Sequence, residues 1–104
     1  MQIFKVIGNV TLSRSHASYT GARLLATVPV GASVMGGPEP IDPDLVVVWD
    51  DLGAGSESLI AVADGAEAAQ PFRPQPKAVD AYNSAILDEV QFAPEVVKTV
   101  RWSP

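Results

Sequence analysis

The chain has 104 residues, seven basic and twelve acidic side chains, and a formal net charge of −5. With 47% hydrophobic and 18% charged residues it can fill one modest core, which excludes wholesale disorder, and its length matches a single domain over residues 1–104. The absence of cysteine excludes a disulfide scaffold and thiolate chemistry.

In chain order, Gln2–Leu12 alternates, with Phe4, Val6, Gly8, Val10 and Leu12 on one face and Lys5, Asn9 and Thr11 on the other. This pattern predicts a half-buried strand with a glycine where it can bend. Arg14–Gly21 is polar loop material around His16, the only histidine. Zinc wants three or four ligands, which this loop does not supply, so His16 reads as a solvent-facing or interface side chain ahead of a catalytic one. Arg23–Val30 alternates again, setting Leu24, Ala26, Val28 and Val30 against Arg23, Leu25, Thr27 and Pro29. Pro29 cannot donate to a ladder and belongs at a strand end or edge.

Gly31–Asp44 holds three glycines and three prolines and predicts a long exposed loop. Leu45–Trp49 and Leu59–Ala63 are apolar on both faces. One face of each can fill a small barrel, while the other needs a partner subunit, so oligomerisation follows. Both runs are far shorter than a bilayer span.

Between them lie Asp50-Asp51 and Gly53-Ala54-Gly55. The acidic pair reads as turn former or as a salt bridge between subunits. The glycines lack the lysine and spacing of a phosphate loop. They read as a hairpin turn with positive φ or as a place where copies of the chain approach a symmetry axis.

Ala66–Gln70 predicts a short helical turn running into Pro71, and Lys77–Tyr82 a second turn. A fifth strand over about Asn83–Phe92 places Ile86, Val90 and Phe92 on one face with Asp88 between them. An inward acid needs a partner, and Arg23 suits it by type. Pro94–Trp102 reads equally as a short helix or an extended arm. Five short strands with one or two helical turns predict a mainly β chain folded as a small OB-like barrel.

Taken together, the segments resemble the bacterial microcompartment vertex proteins, the pentamers of ethanolamine-utilisation compartments and carboxysomes. Met1–Val10 is similar to the family's opening strand with its glycine, and Gly21-Ala22-Arg23-Leu24-Leu25 to its G-x-(K/R)-L-L segment. Asp50-Asp51-Leu52-Gly53-Ala54-Gly55 resembles D-x-(V/I/L)-G-A-G, and Val79-Asp80 with Ile86-Leu87-Asp88-Glu89-Val90 resembles V-D…I-(V/L)-D-x-V. Two departures stand out. The family's GAG-x-G-E appears as Gly55-Ser56-Glu57-Ser58, and its G-S-S-A-R as Gly65-Ala66-Glu67-Ala68-Ala69, without the arginine.

The resemblance implies a structural homopentamer that caps the vertices of a polyhedral shell tiled by hexameric shell proteins. It implies no catalysis, no cofactor and no metal. Gly53, Ala54, Gly55 and Ser56 become the axis- or pore-proximal segment, and Arg23, Asp50 and Asp88 interface polar residues. Met1–Lys5 has no signal-peptide character, so the expected location is the bacterial cytoplasm, in a microcompartment shell, without membrane contact.

The competing reading is an OB-like module for single-stranded nucleic acid or a small ligand. Such modules carry aromatics on a basic strand face. Here Phe4, Tyr19, Trp49, Phe72, Tyr82, Phe92 and Trp102 are scattered, as are the seven basic residues, and the net charge is negative, so nucleic acid is not expected. A small enzyme pairing His16 with Asp50 ranks last.

Overall fold

The computed structural model describes residues 1–15, 17–39, 43–74 and 79–101. Five strands, β1 (Gln2–Val10), β2 (Arg23–Pro29), β3 (Val46–Asp50), β4 (Leu59–Asp64) and β5 (Ala81–Ile86), close a barrel in the order β1-β2-β3-β5-β4. Neighbours are antiparallel except β3 and β5, which meet in parallel at Trp49 and Tyr82. Closure leaves no open sheet edge. Short helices α1 (Gly31–Val34) and α2 (Pro94–Val97) and 3-10 turns at Ala17–Tyr19 and Gly65–Phe72 complete the fold, which is the expected OB-like, mainly β architecture.

The barrel interior is filled by Phe4, Val6, Leu25, Val48, Ala54, Ile60, Val62 and Ala81. Each large aliphatic or aromatic side chain buried here stabilises the fold by about 1.5–3 kcal/mol. In β1 the inward alternation holds through Val6. Ile7 is then skipped by the pairing with β2, which resumes at Gly8. That bulge breaks the expected face, so Leu12 lies beyond the strand and is exposed.

In β2 the inward face is not the wholly apolar side of the alternation but the mixed one. Leu25 and Thr27 are fully buried, and the Thr27 hydroxyl donates to the Val46 carbonyl at 2.8 Å. The satisfied hydroxyl lets a polar residue occupy the interior, while Leu24 packs outside against Trp49. Pro29 ends the strand as expected.

The outer face of β3 is covered by the chain itself only at Trp49. Trp49 is buried by its own chain, with Ala68 and Phe72 of the second 3-10 turn and with Val79. Its indole donates to the Tyr19 carbonyl at 3.1 Å. Leu45 and Val47 remain exposed.

The predicted turn at Ala66–Gln70 forms as part of Gly65–Phe72. The predicted turn at Lys77–Tyr82 does not survive at its end: Ala81 and Tyr82 already belong to β5, while Lys77 and Ala78 lie outside the described residues. β5 therefore starts earlier than expected and stops at Ile86, which points outward with 43% exposure. The Gly31–Asp44 loop opens with α1, Pro40–Asp42 lying outside the described residues. His16 and Trp102 also lie outside them. No helix of the described chain is long and apolar enough to cross a membrane.

Candidate functional site

The acidic turn and the glycines after it form one built unit at the end of β3. Asp50 is the last residue of β3 and is 1% exposed. Its carboxylate accepts from the backbone N–H groups of Leu52 (2.9 Å), Gly53 (3.2 Å) and Ala54 (2.9 Å). The Asn83 side-chain amide on β5 donates to it at 2.9 Å.

Across the ladder, Arg23 is the register partner of Asp50. One guanidinium nitrogen lies 3.5 Å from the carboxylate and donates to the Ala54 carbonyl at 2.7 Å. The carboxylate thus holds the loop's amides and the arginine holds its carbonyl, which defines the path of Leu52–Ala54. Gly53 takes φ +86°, a conformation that disfavours any residue with a Cβ.

Burial pushes the Asp50 carboxyl up. The donors of Leu52, Asn83, Ala54 and Gly53 outweigh it and bring the group below its ordinary value of 3.8. Burial, with Asp51 and Asp50 nearby, raises the Tyr82 phenol above 10.0.

Each expected site residue has a definite place. Gly53, Gly55 and Ser56 are exposed along the loop, whereas the Ala54 side chain is buried in its own barrel core. The segment is not a hairpin, because β3 and β4 are not neighbours. It crosses to β1, where Glu57 N–H donates to the Val6 carbonyl at 2.8 Å and Val6 N–H to the Ser58 carbonyl at 2.9 Å. Of this segment's two glycines only Gly53 has positive φ; the other positive φ in the segment belongs to Glu57.

The expected pairing of Arg23 with Asp88 is replaced by Arg23 with Asp50. Asp88 follows the end of β5 and is exposed, so it needs no inward partner. Asn83 was not singled out from the sequence, yet it joins β5 to the loop. Its only sequence signal is a polar residue at an inward strand position. Among the described residues no group of three or more His, Asp or Glu could hold a metal ion.

The model of the family described as ethanolamine utilisation protein EutN/carboxysome matches residues 1–88. No curated protein matches the chain. Among solved structures, the GrpN pentameric microcompartment shell protein from Rhodospirillum rubrum is 28% identical, with TM-score 0.71, over 88% of this chain and 100% of that one. CcmL from Gloeobacter violaceus is 30% identical, with TM-score 0.70, over 90% and 92% of the two chains. EutN from Escherichia coli, at 23% identity, shares the fold with TM-score 0.73 over 90% and 92%.

Proposed function

The chain belongs to the family of the ethanolamine utilisation protein EutN and its carboxysome relatives, and on that premise we propose that it is a structural shell protein whose homopentamers cap the vertices of a polyhedral bacterial microcompartment. The observation that carries this reading is the family match over residues 1–88, which spans the whole barrel and the Arg23–Asp50 loop unit. Likeness to a pentameric microcompartment shell protein over all of that protein's length supports it further.

The physical logic is that of a head-to-tail contact closing after five copies, which yields a ring rather than a filament. A layer of hexamers needs such fivefold points to close. Gly53, Gly55 and Ser56 form the axis-proximal edge, where a small, exposed and pinned loop lets several copies approach. Arg23 and Asp50 act on the interface through the loop they shape, and Asp88 lies exposed where the matched region ends. The chain works without catalysis, in shells inside the bacterial cytoplasm, beside hexameric shell proteins.

The binding-module alternative is not favoured. Trp49, Phe72 and Tyr82 pack on one another, with ring centroids 5.0–5.8 Å apart, instead of standing apart on a basic face.

Co-expression with hexameric shell proteins and electron cryomicroscopy of the product tests the reading. Density for this chain is expected at the fivefold points. Shells that close without it, or chains spread over the facets, would overturn it.

A further inference from the structure

Beyond β5 the chain leaves the barrel. Leu87 N–H donates to the Leu59 carbonyl at 2.8 Å, beside the last paired residues of β4 and β5. The chain then runs through α2, which has no buried residue and against which no other described element packs extensively. Phe92, Val96 and Val100 are open to solvent, Val96 at 63%. The radius of gyration is 15.1 Å, against roughly 13 Å for a compact chain of this length. An isolated single helical turn is unstable in water, so an exposed apolar one calls for a surface.

The barrel offers one at the level where the arm departs. A groove of about 490 Å³ is lined by Ile7, Val28, Val30, Val34 and Leu59. Leu59 both receives the last bond of the departing chain and lines the groove, so arm and groove lie on either side of β4. Glu57, one residue past the proposed axial edge, lines it too, with Glu39 and Lys5. Charges are complementary: the arm carries Lys98 and Arg101 with Glu95, and the groove Glu39 and Glu57 with Lys5. The groove is not filled by the chain's own arm.

A projecting element and an unfilled concavity at one level of the barrel are the two halves of a head-to-tail contact. The family match ends at residue 88, so the arm lies outside the part that defines the family. Resting on the ring reading above, we propose that Phe92–Arg101 of each copy lies in the β1–β2 groove of the next copy and fastens the ring.

The 104-residue chain has no cysteine, which allows a direct cross-linking test. Ile7 and Val96 are both exposed, so Ile7→Cys with Val96→Cys leaves the core intact. Oxidation of the double variant should give a non-reducing ladder of covalent oligomers up to five chains. A fast-migrating internally linked monomer, or no cross-link within an intact ring, would overturn the arm exchange and leave the ring reading standing. Separately, Val96→Asp with Val100→Asp should raise the concentration at which the ring dissociates about tenfold or more, with the melting of the barrel unchanged. An unaltered dissociation would overturn the proposal. A parent chain that is monomeric would remove both the ring and the exchange.

Discussion

Arg23 and Asp50 face each other across β2 and β3, and the same guanidinium nitrogen that lies 3.5 Å from the carboxylate donates to the Ala54 carbonyl at 2.7 Å. The pair therefore grips one peptide loop from both polarities: Asp50 takes its N–H groups, and Arg23 takes its C=O. This gives a physical reason for an arginine in the second strand to accompany D-D-L-G-A-G after the third. Bonds to ionised groups are shorter and stronger than neutral ones, so the loop is stiff before any partner arrives.

Replacing Asp50 by alanine strands three backbone amides and the Asn83 side chain. Asp50→Ala should cost about 3 kcal/mol of stability, because four donors, those of Ala54 and Asn83 buried, lose a charged acceptor. Arg23→Ala should cost only about 1 kcal/mol, since its side chain is 53% exposed and water can replace part of the contact. Urea unfolding of both variants checks the ranking. Equal losses would mean that the carboxylate is not the centre of the unit.

The Asp50 carboxyl lies below its ordinary value of 3.8 in the folded chain. The unfolded chain therefore binds its proton first as pH falls, and the contribution of this group is fully present above about 3.8. It is lost as pH drops from there through the lower folded value. The wild-type chain should lose stability over that window, and Asp50→Asn should lack that component of the acid slope. Denaturation curves from pH 7 to pH 2 compare the two; identical acid slopes would refute the assignment.

Ala54 and Gly55 separate barrel from ring. Ala54 is packed among Phe4, Val6 and Leu25, so Ala54→Leu should overpack its own barrel and cost about 1–3 kcal/mol in the single chain. A Cβ at Gly55 would meet no atom within 4 Å. Gly55→Leu should therefore leave the barrel's stability within about 0.5 kcal/mol of wild type and weaken the ring. Chain stability and oligomeric mass, measured on the same samples, test both. A Gly55→Leu ring as stable as the parent would move the axis away from this loop.

At Gly53 the demand comes from the backbone alone. Its φ of +86° tolerates no Cβ without strain, although space is open around it. Gly53→Ala should cost about 1 kcal/mol in thermal unfolding, whereas Gly55→Ala should be close to neutral.

Most strands are legible because they depend on local pattern: alternation in Gln2–Val6, doubly apolar runs at β3 and β4, and a proline ending β2. The inward face of β2 is not, because Leu24, Ala26 and Val28 alternate with Leu25 and a threonine whose hydroxyl is satisfied only across the sheet by Val46. Charge type alone suits Arg23 to Asp88, whereas the β2–β3 register sets it opposite Asp50. The role of Asn83 is illegible for the same reason, since its partner is 33 residues away. Leu25, Asn83 and Arg23 all owe their places to pairing between distant strands, which period within one strand does not encode.

Native mass spectrometry of the 104-residue chain decides whether this barrel closes a ring of five. A ring of five gives one dominant species at five times the chain mass of 10.9 kDa. A stable monomer at micromolar concentration, or a ring of another number, would contradict it.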